Sequence, residues 1–330
     1  MFRKFLFLVA FGGLLVSCST KQELDNRLDS ERAIRLGTGG VAKEPSTKAE
    51  VNSLADLAKQ GVGDNIGIYG VSVRENSAAP IVGWGNDCPM ANVQTTAVSA
   101  TDGTISWNGV YLYPVDNSYV KFCAYYPYAS TEGNGRLHLD APATGKAPVL
   151  RFTMNGQDDV MYAVPVVGRY DSAPAPLEFH HVLTQLHFEI VDSSETLVGE
   201  KILNIVLLDV NTSSSMNIET GVLGTWGSKD NLNVYGSNNV EILSSAPQQV
   251  GGSIMLQPGQ ASFKVRVETT VGDYLATVRP TSSLDSTLET SFAAGRSYLI
   301  SLYFDKTSEL SALATVSPWL LMGYADVIIQ

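Results

Sequence analysis

Residues 263–268 read Phe-Lys-Val-Arg-Val-Glu. Successive side chains of a strand point to opposite faces. Phe263, Val265 and Val267 therefore fall on one side, and Lys264, Arg266 and Glu268 on the other. This is the signature of a half-buried strand. Further strand-like pieces lie outward in both directions. Toward the C-terminus follow YLATVRP (274–280) and SYLISLYF (297–304). Toward the N-terminus lie SIMLQP (253–258), NLNVY (231–235), GVLGTW (221–226) and KILNIVLLDV (201–210). Earlier come VLRFTM (149–154), RLHLD (136–140), YVKFCAYYPY (119–128), VYLYPV (110–115), TISW (104–107) and IGIYGVSV (66–73), with the more uniformly apolar VMYAVPVV at 160–167. Gly, Pro, Asn and Asp separate these pieces, and Pro127 and Pro165 each mark an edge or an ending. Only Asn52–Gln60 reads as a brief helix, with Leu54, Ala55, Leu57 and Ala58 on one face. The fold expected is mostly β, with two β-sandwich domains in tandem.

The proline-rich break GRYDSAPAPL (168–177) divides the chain into an N-terminal domain, 33–172, and a C-terminal domain, 173–330. The stretch after it, LEFHHVLTQLHFEIVD, is ambiguous between a helical turn and one long strand. The alternation in LHFEI favours a strand with an irregular entry, with His187 facing away from Leu186 and Phe188. Residues 211–240, rich in Asn, Ser and Gly, read as loops. No tandem repeat of fixed period is evident.

The start of the chain, MFRKFLFLVAFGGLLVSC, has the pattern of a secretory leader: Arg3 and Lys4, then the apolar run Phe5–Val16, then a small residue before Cys18. The run is well short of the roughly 20 residues a spanning helix needs. It resembles a bacterial lipoprotein signal, 1–17, with the thiol of Cys18 lipidated. Residues 18–32 form a polar tether. Loss of Arg3 and Lys4 would take the formal charge of −11 two units further negative, which argues against a nucleic-acid partner. Beyond Cys18 there are only Cys88 and Cys123, which could pair in an oxidising compartment or remain free.

Catalytic chemistry is not indicated. His138, His180, His181 and His187 show no ligand or triad spacing, and adjacent His180 and His181 diverge on a strand. The neighbours Asp158 and Asp159 also point apart, suiting a turn rather than acid–base work. GTGG at 37–40 lacks the context of a phosphate loop, and no Gly-x-Ser-x-Gly elbow occurs. No enzyme activity, metal or cofactor is expected. Tyr125, Tyr126 and Tyr128 could form a glycan-binding row, but strand tyrosines more often pack across a sheet.

Several segments together resemble the fimbrillin-like family, the subunits of type V pili in Bacteroidetes. They are KFCAYYPY (121–128), DDVMYAVPV (158–166), LEFHHVLTQLHFEI (177–190) and AAGRSYLISLYF (293–304), preceded by the lipoprotein signal. The resemblance covers residues 33–330 and implies two β-sandwich domains of transthyretin-like arrangement. It further implies a surface lipoprotein, held in the outer membrane by its lipid, whose first strand is removed by a trypsin-like protease. The opened groove then accepts a strand from another subunit, giving a homo- or heteropolymer that supports adhesion to a host or bacterial surface. Mapped here, Ala33, Ile34, Arg35 and Leu36 are the covering strand, followed by a GTGGVAKEPSTK loop. Lys43 and Lys48 are the preferred cut positions and Arg35 the third. The tail 316–330 is the candidate donor, anchored by Val316, Trp319, Leu321, Val327 and Ile329, although it could equally be a last strand completing the second domain. The competing reading is a monomeric surface lipoprotein, an adhesin or glycan-binding protein.

Overall fold

The computed structural model describes residues 31–41, 65–74, 81–85, 87–281, 290–304 and 310–317. These form twenty strands. The first ten are β1 (Thr38–Val41), β2 (Gly67–Val73), β3 (Met90–Val98), β4 (Ile105–Trp107), β5 (Tyr119–Tyr126), β6 (Leu137–Asp140), β7 (Val149–Thr153), β8 (Met161–Ala163), β9 (Val166–Gly168) and β10 (Leu177–His181). The others are β11 (Thr184–Asp192), β12 (Lys201–Asn217), β13 (Gly227–Asn233), β14 (Val240–Glu241), β15 (Gln248–Leu256), β16 (Phe263–Thr269), β17 (Asp273–Val278), β18 (Pro280–Thr281), β19 (Ser297–Phe304) and β20 (Leu310–Ser317). The protein is thus predominantly β, as the alternation requires.

The strands form three sheets. The first has eight strands in the order β1-β10-β8-β5-β2-β3-β4, with β9 also on β5. Its two ends come together through residues 33–38. Ile105 N–H donates to Leu36 O and Thr38 N–H to Gly103 O, while β1 runs parallel to β10. The sheet thereby nearly closes into a barrel. Its core holds Ile34, Leu36, Ile66, Ile68, Phe122 and Phe179. Val120, Phe122 and Ala124 share that face of β5, as the alternation predicts. Cys123 and Tyr125, on the other face, are buried in a second core.

The second sheet has five strands, β15-β11-β19-β20-β18, and the third has seven, β17-β16-β12-β7-β6 with β13 and β14 on β12. One core fills the space between them, with Phe188, Ile205, Val265, Val267, Tyr298 and Ile300 among its members. β16 behaves as its sequence reads: Phe263, Val265 and Val267 are buried, and Arg266 and Glu268 pair at 2.6 Å toward solvent.

Several expectations need correction. LEFHHVLTQLHFEIVD is two strands, not one. β10 belongs to the first sheet and β11 to the second, so Val182 and Leu183 carry the chain from one to the other. VYLYPV is not a strand. Its backbone instead meets residues 32–34, with a single bridge from Ala33 to Leu112. The first part of the expected GTGGVAKEPSTK loop is β1. Residues 211–217 are not loop but the second half of β12, because β7 supplies a five-pair antiparallel ladder, and β13 occupies 227–233. VMYAVPVV breaks at Pro165 into β8 and β9. The Asn52–Gln60 helix lies outside the described residues.

Candidate functional site

The segment that seals the first sheet begins at Arg32. Tyr113 N–H donates to Arg32 O at 2.9 Å and Ile34 N–H to Tyr111 O at 2.8 Å. The Arg32 guanidinium also reaches Tyr113 O. Two residues on, Leu36 O accepts from Ile105 N–H at 3.0 Å, and Gly37 O accepts from Leu177 N–H at 2.8 Å. Thr38 Oγ1 donates to Leu177 O at 2.8 Å. One short piece of chain is therefore stitched on one side to residues 103–113 and on the other to β10. The side chains alternate as in any strand. Ile34 and Leu36 are each 4% exposed and sit in the core, and Arg35 between them is exposed. Tyr113, against which this segment lies, is buried edge-to-face on Phe122 at 6.1 Å, and burial pushes its phenol up to about 12.

Ala33, Ile34, Arg35 and Leu36 are therefore all placed by the structure. Lys43, Lys48 and Cys18 lie outside the described residues. Of the donor anchors, Val316 lies in β20, opposite Tyr298 of β19, so the chain at this point completes the second sheet. Trp319, Leu321, Val327 and Ile329 lie outside the described residues.

The remaining chemistry-bearing residues do not converge. His138 faces Asp140 on the exposed β6–β7 pair at 3.3 Å. His180 stacks on Tyr162, with ring centroids 5.6 Å apart. His181 pairs with Asp159, both side chains 8% exposed, while Asp158 points away to Arg136. His187 stays out of the core between the second and third sheets, as alternation requires, but is only 7% exposed. Burial holds its imidazole down at about 4. Among the described residues no three His, Cys, Asp or Glu side chains assemble as a metal site. Cys88 and Cys123 are free, and burial raises the Cys123 thiol well above the usual range. Tyr125 is buried and donates to Asn92 Oδ1 at 2.6 Å, whereas Tyr126, on the opposite face of β5, and Tyr128 are half-buried, so the three tyrosines form no single row. One polar residue escaped the sequence reading. Both carboxylate oxygens of Glu219, in the turn after β12, are engaged, by Ile81 N–H at 2.7 Å and by the Trp84 indole N–H at 2.8 Å. An Asn-Ile-Glu-Thr-Gly turn carries no mark of such a distant partner.

A family model described as fimbrillin-like matches residues 47–319. The chain belongs to the fimbrillin-like family. The matched range contains the segments from KFCAYYPY to AAGRSYLISLYF. A Bacteroides uniformis protein named as fimbrium subunit Fim1C is 26% identical over 198 residues, or 58% of this chain. The match spans 60% of that relative's length. Solved structures share the fold. One, described as a cell adhesion protein of Bacteroides uniformis, is 19% identical with a TM-score of 0.56, covering 88% of this fimbrillin-like chain and 99% of its own. A fimbrial protein of Bacteroides vulgatus is 14% identical with the same TM-score, covering 88% and 100%. Family membership, rather than any missing residue, places this fimbrillin-like chain outside the enzymes.

Proposed function

We propose that this protein is a structural subunit of a surface pilus or fimbria that supports adhesion. It is exported as a lipoprotein through Cys18, held at the outer membrane, and built into a fibre by proteolysis-coupled strand exchange. The observation that carries the reading is the segment 33–41. It buries Ile34 and Leu36, is hydrogen-bonded through its first part to residues 103–113 and through its second to β10, and lies just after the tether. Its removal would leave the N–H and C=O groups of 103–113 and of β10 without partners beside two apolar pockets. Such an edge invites another strand: main-chain bonds hold the donor and alternate side chains fill the pockets. Relatives named for a fimbrium, a fimbrial protein and cell adhesion support the same reading.

The cut position decides what is opened. Cleavage at Lys43 or Lys48 frees the whole segment, β1 included. Cleavage after Arg35 would leave Leu36 and β1 in place and open only half the groove. The donor is the tail 316–330 of a neighbouring subunit, beginning at the end of β20 and offering Val316, Trp319, Leu321, Val327 and Ile329 as anchors. The neighbour is another copy or a different pilus subunit. The fold reading that accompanies this is two β-sandwich units, 33–172 and 173–330, interlocked because β10 joins the first sheet and β6 and β7 join the third.

The competing reading is a monomeric surface adhesin or glycan-binding lipoprotein. It draws on Val316 already pairing within its own sheet, and it loses ground because Tyr125 is buried and Tyr126 falls on the opposite face of β5. Limited trypsin digestion of residues 18–330, followed by sizing, separates the two. Loss of the N-terminal segment with growth of a ladder supports strand exchange. A cut protein that stays monomeric under assembly conditions overturns it.

A further inference from the structure

β12 is the longest strand of the described residues, Lys201–Asn217. At about 3.3 Å per residue it extends roughly 55 Å, about three times the usual strand. Its partners change along its length. Residues 202–208 pair with β16, and residues 213–217 pair with β7, which precedes the break at 168–177. Its side chains enter two different cores. Ile202, Ile205, Leu207 and Val210 belong to the core between the second and third sheets. Met216 belongs instead to the core under the first sheet, with Cys123, Tyr125 and Phe152.

The far end of β12 is fastened as well. Met154 N–H donates to Thr212 O at 2.7 Å. Glu219 holds Ile81 and Trp84 of the first sheet's loop through both carboxylate oxygens. A Cβ at Gly221 would sit 2.2 Å from the Tyr162 ring of β8, so the turn packs directly on the first sheet. A hinge between the two cores would have to break β12 near residue 211 or strip the β7 ladder and the Glu219 contacts together.

We infer that β12 is a shared spine that makes both cores one cooperative unit with no internal hinge. The subunit then unfolds, and resists tension, as a single body, and any bending of an assembly falls between subunits. This coupling holds whether or not the chain polymerises.

Chemical unfolding of the full chain, read by two local probes, tests it. Peptide-resolved labelling of Cys123, fully buried in the first sheet, reports one core. Amide exchange across Ser297–Phe304 reports the other. The two midpoints are expected to coincide in the native sequence. Inserting Gly-Ser-Gly-Ser between Val210 and Asn211 is expected to separate them. The same insertion between Val271 and Gly272, in the β16–β17 turn, leaves them together. Separate midpoints in the native chain, or coincident midpoints after the 210/211 insertion, would overturn the inference. The native-chain comparison stands alone should the inserted chain fail to fold.

Discussion

Leu36→Ala probes the seal directly. Leu36 is 4% exposed and lies in the core of the first sheet beside Ile34. Truncation removes three buried carbon groups, roughly 2–3 kcal/mol at about 0.8 kcal/mol each. A residual cavity raises the expected loss to about 3 kcal/mol, within the usual range for buried Leu→Ala. The loss falls first on the sealing segment, because its bonds to residues 103–113 open together. Native-state amide exchange at Ile105 and Tyr113 is the assay, since these N–H groups donate to Leu36 O and Arg32 O. Protection of both is expected to fall about a hundredfold, at about 1.4 kcal/mol per factor of ten. Arg35→Ala, on the exposed side of the same segment, is expected to change it about twofold or less. A fall under about fivefold for Leu36→Ala, or an equal fall for Arg35→Ala, would refute the reasoning.

Three further outcomes are expected. Glu219→Ala leaves the Ile81 and Trp84 N–H groups without their acceptor, and a loss of about 2–4 kcal/mol should appear as a lower urea midpoint with red-shifted tryptophan emission. Gly67→Ala would place a Cβ 2.3 Å from the buried Tyr125 ring; the expected loss is at least about 2 kcal/mol, measured by thermal unfolding. His187 has its folded pKa lowered by burial to about 4, below its unfolded value of 6.5. Its contribution is therefore complete above pH 6.5 and is lost as pH falls toward 4, on the order of 3 kcal/mol in all. His187→Gln should flatten that part of the urea-midpoint profile.

What the sequence reveals and what it hides follow from where the information sits. Phe263–Glu268 alternates within itself, so its strand and buried face are legible locally. Tyr119–Tyr126 reads as a strand in the same way, but its second face, Lys121, Cys123 and Tyr125, is buried too, by packing that the alternation does not show. Residues 211–217 are not, because Asn211, Thr212 and Ser213–Ser215 carry no apolar pattern. They are held extended by β7, some sixty residues earlier in the chain. His187 alternates away from Phe188 as read, yet its burial is decided by the rest of the fold. The switch at Val182–Leu183 looks like an irregular strand entry because the two sheets it joins are defined by distant pairings. The seal at 33–36 is legible as an apolar patch. That β1 continues it along β10 is not, since Thr38-Gly-Gly-Val41 has the composition of a turn. Glu219 is invisible for the same reason: both its donors come from the loop at 81–84.

The central claim is that the place held by residues 33–41 is where another subunit docks. A synthetic peptide of residues 31–41, added in excess to subunits cut at Lys43 or Lys48, measures it most directly by sizing. The peptide should refill the groove and stop the ladder, whereas a peptide with Ile34 and Leu36 replaced by Asp should not. A ladder that grows equally with either peptide would contradict the claim.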